Sequence, residues 1–129
     1  MVQGRFDSGT GYGMTANYHE RFGNLHSSAV QAVRERSSPL WNADTAGEKM
    51  ETMRALVDDL SGVYGIPVPD VRWDDREVYY GDGTIGLLRA SVVSLLHEFR
   101  HHMQKHGRQA NADIEEDARG WSISLFAEA

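Results

Sequence analysis

The sequence predicts an α+β protein in which helices pack on a small, mainly antiparallel sheet of three strands. Two kinds of periodicity lead to this class. Apolar residues recur at three- and four-residue spacing in four segments, which is typical of helices with one buried face. Between residues 71 and 88, short runs rich in β-branched and aromatic residues alternate with Asp and Gly turn residues, which is typical of strands. The expected order is two helices, three strands and two helices.

Length and composition restrict the domain organisation. At 129 residues the chain is long enough for one hydrophobic core. Residues 1–15 contain four glycines among polar residues, which predicts a flexible N-terminal arm and leaves residues 16–129 as a single domain. Cysteine is absent, so disulfides and thiolate metal ligands are excluded.

Charge and hydropathy restrict the partners. The net charge of −6 and a pI near 5.4 argue against binding of nucleic acid or of an anionic membrane surface. No apolar stretch has the length of a transmembrane helix, and the first residues do not resemble a signal peptide. We therefore expect a cytoplasmic protein.

Two apolar stripes predict the first helices. One predicts a helix from Asn24 to Arg36 that Ser37-Ser38-Pro39 ends, because a residue before proline avoids the helical conformation. The other predicts a helix from about Ala46 to Tyr64, which Gly65 ends.

Three strands are expected after the second helix. Val71–Asp74 and Glu77–Tyr80 have strand composition, and Gly81-Asp82-Gly83 is a turn into a third strand, Thr84–Leu88. The second and third strands are expected to form a hairpin. Exposed edges of such a sheet can bind an extended peptide by main-chain hydrogen bonds, although a sheet that only covers the helices is an equally good interpretation.

The segment His97-Glu98-Phe99-Arg100-His101 has the pattern H-E-x-x-H inside a predicted helix. His97 and His101 lie four residues apart on one helical face, so both imidazoles can reach a single metal ion. Glu98 projects beside that face and can take a proton from a metal-bound water. Without cysteine the ion must be held by histidine and carboxylate, which predicts zinc. The alternative is a solvent-exposed helix that is merely rich in histidine.

The ends of this helix and the next are also predicted. Ser91 is the expected N-cap of the histidine helix, and Gly107 is its expected C-terminal stop. A last helix should begin near Asn111, with acidic residues in its first turns, where the helix dipole favours carboxylates. Its apolar stripe, expected to pack on the histidine helix, consists of Ile114, Ala118, Trp121 and Leu125.

At this point the chain resembles the gluzincin class of zinc metallopeptidases, particularly their minimal single-domain forms. The resemblance covers about residues 45–126 and depends on the H-E-x-x-H helix and a following helix with E-x-x-A, here Glu115-Glu116-Asp117-Ala118. It implies a zincin-like metallopeptidase core with one Zn²⁺ per chain. The ligands that it implies are His97, His101 and Glu115.

The resemblance also implies an activity, the hydrolysis of peptide bonds by a zinc-dependent metallopeptidase. Glu98 would act as general base on a zinc-bound water and pass the proton to the leaving amine. A peptide or protein substrate would pair with the strand Thr84–Leu88. The alternative is a non-catalytic zinc-binding structural or accessory protein, for example of a virus or mobile element, that retains the peptidase scaffold. An intact Glu98 favours the enzyme.

Three departures from the family pattern affect these expectations. Arg119 stands where relatives often carry an Asp or Asn that orients a histidine. Arg100 replaces a small residue of the motif and is expected to crowd the cleft. Only fourteen residues follow Glu115, so no C-terminal subdomain is expected to supply the oxyanion-stabilising His or Tyr of larger relatives. The candidates for that role are Tyr79, Tyr80 and Arg119.

Helix geometry also favours Glu115 as the third ligand. His101 lies about five residues before the end of its helix and Glu115 about four residues into the next, so a short turn brings both to one level. Glu116 is turned about 100° further round and should face solvent. The less favoured ligand candidates are Asp113, Asp117, His102, His106 and the isolated His19 and His26.

Overall fold

The computed structural model describes residues 25–129, in which four helices and three strands confirm the α+β class. The predicted arm at residues 1–15 and His19 lie outside the described residues. The elements, in order, are α1 (Ser27–Asn42), α2 (Ala46–Tyr64), β1 (Asp70–Trp73), β2 (Val78–Tyr79), β3 (Thr84–Leu87), α3 (Val92–Lys105) and α4 (Ile114–Glu128).

The helix α1 continues through Pro39, so the predicted stop at Ser37-Ser38-Pro39 is wrong. Pro39 lies in the last turn, where the missing N–H removes one helical hydrogen bond, and the continued helix buries Leu40 in the core. The isolated His26 is the N-cap, because its Nδ1 accepts a hydrogen bond from the Ser28 N–H at 3.1 Å.

The helix α2 begins and ends where the sequence predicts. Its start is a capping box, in which the Thr45 hydroxyl accepts a hydrogen bond from the Glu48 N–H and the Glu48 carboxylate accepts one from the Thr45 N–H. Gly65 ends it in the left-handed conformation, with φ of 66°. The stop at Gly65 is local in sequence, which explains why it was predictable.

The sheet is mixed, so the prediction of a mainly antiparallel sheet is wrong. The strand order is β1-β3-β2, with β3 parallel to β1 and antiparallel to β2. The hairpin of β2 and β3 is as predicted, with Tyr79 opposite Ile85. On its other side β3 pairs in parallel with β1, where Val71 lies opposite Ile85. Insertion of β3 between the other strands buries Ile85 and Leu87 completely.

The central position of β3 determines which strand edges are open. Because β1 and β2 occupy its two sides, a peptide has room only at the outer edges of these neighbours. The outer edge of β1 is partly covered, since the Arg54 Nε donates a hydrogen bond to the Val71 carbonyl at 2.9 Å. The strand β2 contacts α3, and the Tyr79 hydroxyl lies 2.8 Å from the His102 Nδ1.

One continuous apolar core holds the helices and the sheet together. The helices α3 and α4 form the closest helix pair, and Phe99 of α3 stacks on Trp121 of α4 with 6.3 Å between ring centroids. None of the helices within residues 25–129 combines the length and the apolar character needed to cross a bilayer. The seam between α3 and α4 carries the candidate site.

Candidate metal centre

The rotation of α3 about its axis places both histidines of the motif on its outer side. Ser91 caps the helix by accepting a hydrogen bond from the Ser94 N–H at 3.2 Å, and Gly107 has a φ of 83° just after it, as predicted. The opposite, core-facing side is occupied by Leu95, Leu96, Phe99 and Met103. Burial of this stripe leaves His97 and His101 facing outward along the seam with α4.

The structure brings the three predicted metal ligands together. The Glu115 Oε1 lies 3.2 Å from the His97 Nε2, and its Oε2 lies 3.3 Å from the His101 Nε2. One ligand atom from each residue lies within 4.8 Å of the others. A tetrahedral ion at about 2.0–2.1 Å from each ligand separates the ligand atoms by about 3.4 Å. The group can therefore hold a metal ion.

The group is open to solvent on one side. The side chains of His97 and His101 are 25% and 13% exposed, whereas that of Glu115 is 60% exposed. Among residues 25–129, the only cluster of three or more potential ligands is this one. Structural zinc sites are closed by four protein ligands, whereas catalytic sites have three and an open position. Among residues 25–129 this group offers three ligand side chains, and one of them is largely exposed.

The tautomer of His101 follows from the hydrogen bonds of Gln104. The Gln104 Nε2 donates to the Ile114 carbonyl and to Asp117, both at 2.9 Å, so its Oε1 is the end that faces the His101 Nδ1 at 2.8 Å. Since Oε1 only accepts, Nδ1 carries the proton. The Nε2 of His101 then has its lone pair directed at the metal position, as a ligand requires.

Arg100 does not enter the cleft, so the expectation that it crowds the cleft is wrong. Its side chain is buried and faces α4, where the Nε lies 2.8 Å and the Nη2 3.3 Å from the two oxygens of Asp117. The guanidinium also lies over the ring of Trp121. Arg100 therefore ties α3 to α4 beneath the metal group.

Besides pairing with Arg100, Asp117 binds the loop before α4. Its Oδ1 accepts hydrogen bonds from the N–H groups of Ala110 and Asn111 at 2.7 and 3.0 Å. Burial alone would raise the pKa of this carboxyl, but the hydrogen bonds from Arg100, Gln104 and Ala110 outweigh it and hold the pKa below its usual value. Sequence reasoning missed this role, because nothing local indicates which acidic residue of α4 turns inward.

The carboxyl of Glu98 is buried next to the metal group. Burial, with smaller contributions from the carboxylates of Glu115 and Glu77, raises its pKa to about 7, although the charge of His101 acts in the opposite direction. Burial also lowers the pKa of His97, which favours the neutral imidazole that binds metals. A base with a pKa near 7 suits proton transfer at neutral pH.

The two tyrosines considered as oxyanion partners are engaged elsewhere. The His102 Nε2 donates a hydrogen bond to the Pro67 carbonyl at 2.7 Å, so its Nδ1 accepts one from Tyr79. These bonds also exclude the buried His102 as a metal ligand. The hydroxyl of Tyr80 donates to the Asp74 carboxylate, next to β1.

Arg119 is the remaining candidate, and it lies near the metal group. It follows Glu115 by four residues in α4, so both side chains project from one face of the helix. Its positive charge contributes to lowering the pKa of His97, and its guanidinium contacts the Glu116 carboxylate. Arg119 thus brings a cation near His97.

Comparisons with models of protein families, with curated proteins and with solved structures found no match to this chain. The site is therefore interpreted from its own geometry and chemistry. It offers two imidazoles and a carboxylate in contact, with a buried carboxyl of raised pKa beside them.

Proposed function

We propose that this chain is a zinc-dependent metallopeptidase in which one Zn²⁺ is held by His97, His101 and Glu115. The observation that carries the proposal is the contact of one half-exposed carboxylate with both outward imidazoles, directly beside a buried Glu98. Two nitrogen ligands and one oxygen ligand with an open position suit catalytic zinc, and imidazole ligands suit zinc better than Mg²⁺ or Ca²⁺.

Glu98 is the general base of the proposed reaction. When bound, zinc supplies a Lewis acid that polarises the peptide carbonyl and favours deprotonation of water. Glu98 takes the proton of the attacking water and passes it to the leaving amine. In the metal-free protein, burial of the Glu98 carboxyl raises its pKa and favours its protonated form, which a proton acceptor must be able to adopt.

We assign to Arg119 the stabilisation of the negative charge that develops on the carbonyl oxygen. Arg119, which pairs with Glu116, is favoured over Tyr79 and Tyr80 by its place one turn beyond Glu115 on the same face of α4. A guanidinium at this place offers several N–H donors to an oxyanion.

The proposed substrate is an extended segment of a peptide or protein. The resemblance implies pairing with Thr84–Leu88, but the observed strand β3 (Thr84–Leu87) is central and has neighbours on both sides. The edge of β2 is the better candidate, because it lies beside α3, and Glu77, just before it, already acts on the pKa of Glu98. An added strand there would place a peptide next to the metal group.

The deciding experiment measures cleavage by the zinc-loaded full chain. The protein is incubated with a broad library of unstructured peptides, and new termini are identified by mass spectrometry. Cleavage that stops on chelation, returns with zinc and is absent in the Glu98→Gln variant supports the peptidase. One bound zinc without any cleavage would instead support the non-catalytic accessory protein, and a chain that binds no zinc would overturn both.

A further inference from the structure

An apolar cleft opens at the end of the seam between α3 and α4, with a volume of about 810 Å³. This volume lies within the range of about 300–1,000 Å³ that is usual for ligand sites. Its polar lining includes the half-buried Lys49 of α2. Its apolar lining consists of Leu40, Trp41, Ala90, Val92, Val93 and Phe126.

The cleft and the metal group lie along the same seam. Val93 precedes His97 by four residues in α3, which is about 6 Å along the axis and about 40° of rotation. Phe126 follows Glu115 by eleven residues in α4, which is about 16 Å and about 20° of rotation. Because the two helices run antiparallel, both steps lead from the metal group in the same direction. A chain that crosses the metal group along this seam reaches the cleft.

The cleft presents exposed apolar surface and one cation that has no ion pair among residues 25–129. Trp41 is 88% exposed and Phe126 is 47% exposed, although large apolar side chains are usually buried. Lys49 forms no ion pair within residues 25–129, where most of the arginines are paired with acidic groups. A large apolar group next to a carboxylate would complement both features.

We propose that this cleft binds a large apolar side chain and an adjacent acidic side chain of the substrate, and that the acidic group forms an ion pair with Lys49. The inference rests on the proposed peptidase function and adds a sequence preference to it. At about 3.3 Å per residue, the distances of about 6–16 Å place this pair about two to five residues from the scissile bond.

Peptide binding to a variant that cannot cleave its substrate tests this preference. The zinc-loaded full-length Glu98→Gln variant is titrated against labelled ten-residue peptides that contain one Phe-Glu pair, and matched peptides that contain Phe-Lys, with anisotropy as the signal. We expect the Phe-Glu peptides to bind about tenfold more tightly. Lys49→Glu should reverse this order, Phe126→Ser should weaken both, and Arg72→Glu, on the outer face of the sheet, should leave the order unchanged.

The outcomes separate this inference from the proposed function. If the wild-type protein cleaves peptides but neither Lys49→Glu nor Phe126→Ser changes binding, the cleft proposal is overturned and the peptidase stands. If no peptide is cleaved yet the Phe-Glu preference reverses in Lys49→Glu, the cleft is a binding site and the peptidase fails. Preference for a free C-terminal carboxylate over an internal Glu would overturn the assignment to an acidic side chain.

Fluorescence quenching distinguishes the substrate from other occupants of the cleft. In a Trp73→Phe variant, acrylamide should quench the exposed Trp41 efficiently at every protein concentration. Protection that grows with concentration, together with sedimentation as a dimer, would show that a second copy covers the cleft. Protection at all concentrations would show that the chain fills the cleft itself. Either result overturns the proposal.

Discussion

The side-chain amide of Gln104 donates a hydrogen bond to the Asp117 carboxylate at 2.9 Å, and this contact joins α3 to α4 directly behind the metal group. The other end of the same amide accepts a hydrogen bond from His101. The orientation of a proposed metal ligand is therefore coupled to the packing of the two helices that carry the three proposed ligands. Because of this coupling, substitution of the residues behind the site should change metal affinity, as substitution of the ligands should.

Gln104→Leu should weaken zinc binding by about 10–100-fold, because the His101 ring loses the acceptor that holds its Nδ1–H. The affinity is measured by competition with a chromophoric chelator. Gln109→Leu is the matched control, since Gln109 bonds only to nearby main-chain carbonyls. Equal affinities of the two variants would contradict the proposed orientation of His101.

Glu115→Ala should reduce zinc affinity by at least about 100-fold, because it removes one of three ligands. Glu116→Ala should change it little, because the Glu116 carboxylate contacts Arg119 rather than the histidines. Zinc titration of both variants by calorimetry checks the assignment. The reverse order of affinities would show that the third ligand is misidentified.

Glu98→Gln should lower the rate of peptide hydrolysis by at least about 100-fold while zinc content stays near one per chain, because the side chain moves protons and does not bind the metal. Turnover and metal content are measured on the same preparation. Glu51→Gln, on the exposed side of α2, is the control. Undiminished turnover in Glu98→Gln would place the activity outside this site.

Asp117→Ala should lower the free energy of unfolding by about 3–5 kcal/mol, because it breaks a buried ion pair with Arg100 from one side. Glu116→Ala, which breaks an exposed pair, should cost at most about 1 kcal/mol. The pKa of Asp117 in the folded protein is below its value in the unfolded chain. The contribution of Asp117 to stability is therefore complete above the unfolded pKa and is lost as the pH falls through the folded pKa. Urea unfolding at several pH values measures both effects.

The metal-free protein should lose stability as the pH rises from about 4.5 to about 7 through the contribution of Glu98, whose pKa is raised to about 7. In this window the folded carboxyl holds a proton that the unfolded chain has released. The lowered pKa of His97 changes stability in the opposite direction. The quantity to measure is therefore the difference in the free energy of unfolding between wild type and Glu98→Gln at each pH. A difference that does not change with pH would show that Glu98 titrates normally.

Local signals in the sequence determined the helices, the strands and the spacing of the motif. The capping box at Thr45, the cap at Ser91 and the glycine after α3 join groups a few residues apart, so their effect does not depend on the rest of the fold. The four-residue spacing of His97 and His101 is likewise a property of one helix. The expected start of the last helix near Asn111 is wrong, because α4 begins at Ile114 with Asp113 as its N-cap. Residues 106–113 connect it to α3, so the contact of Glu115 with the histidines does not follow from a short turn.

Only the tertiary structure decided the strand order, the inward position of Asp117 and the burial of Glu98. The insertion of β3 between β1 and β2 depends on which edges are adjacent in space, and short strands carry no local signal for it. Arg100 and Asp117 could each have been exposed, and they are buried because the packing of α3 on α4 brings their charges together. The same packing removes water from Glu98 and raises its pKa, an effect that depends on neighbours distant in the chain and not on the motif itself.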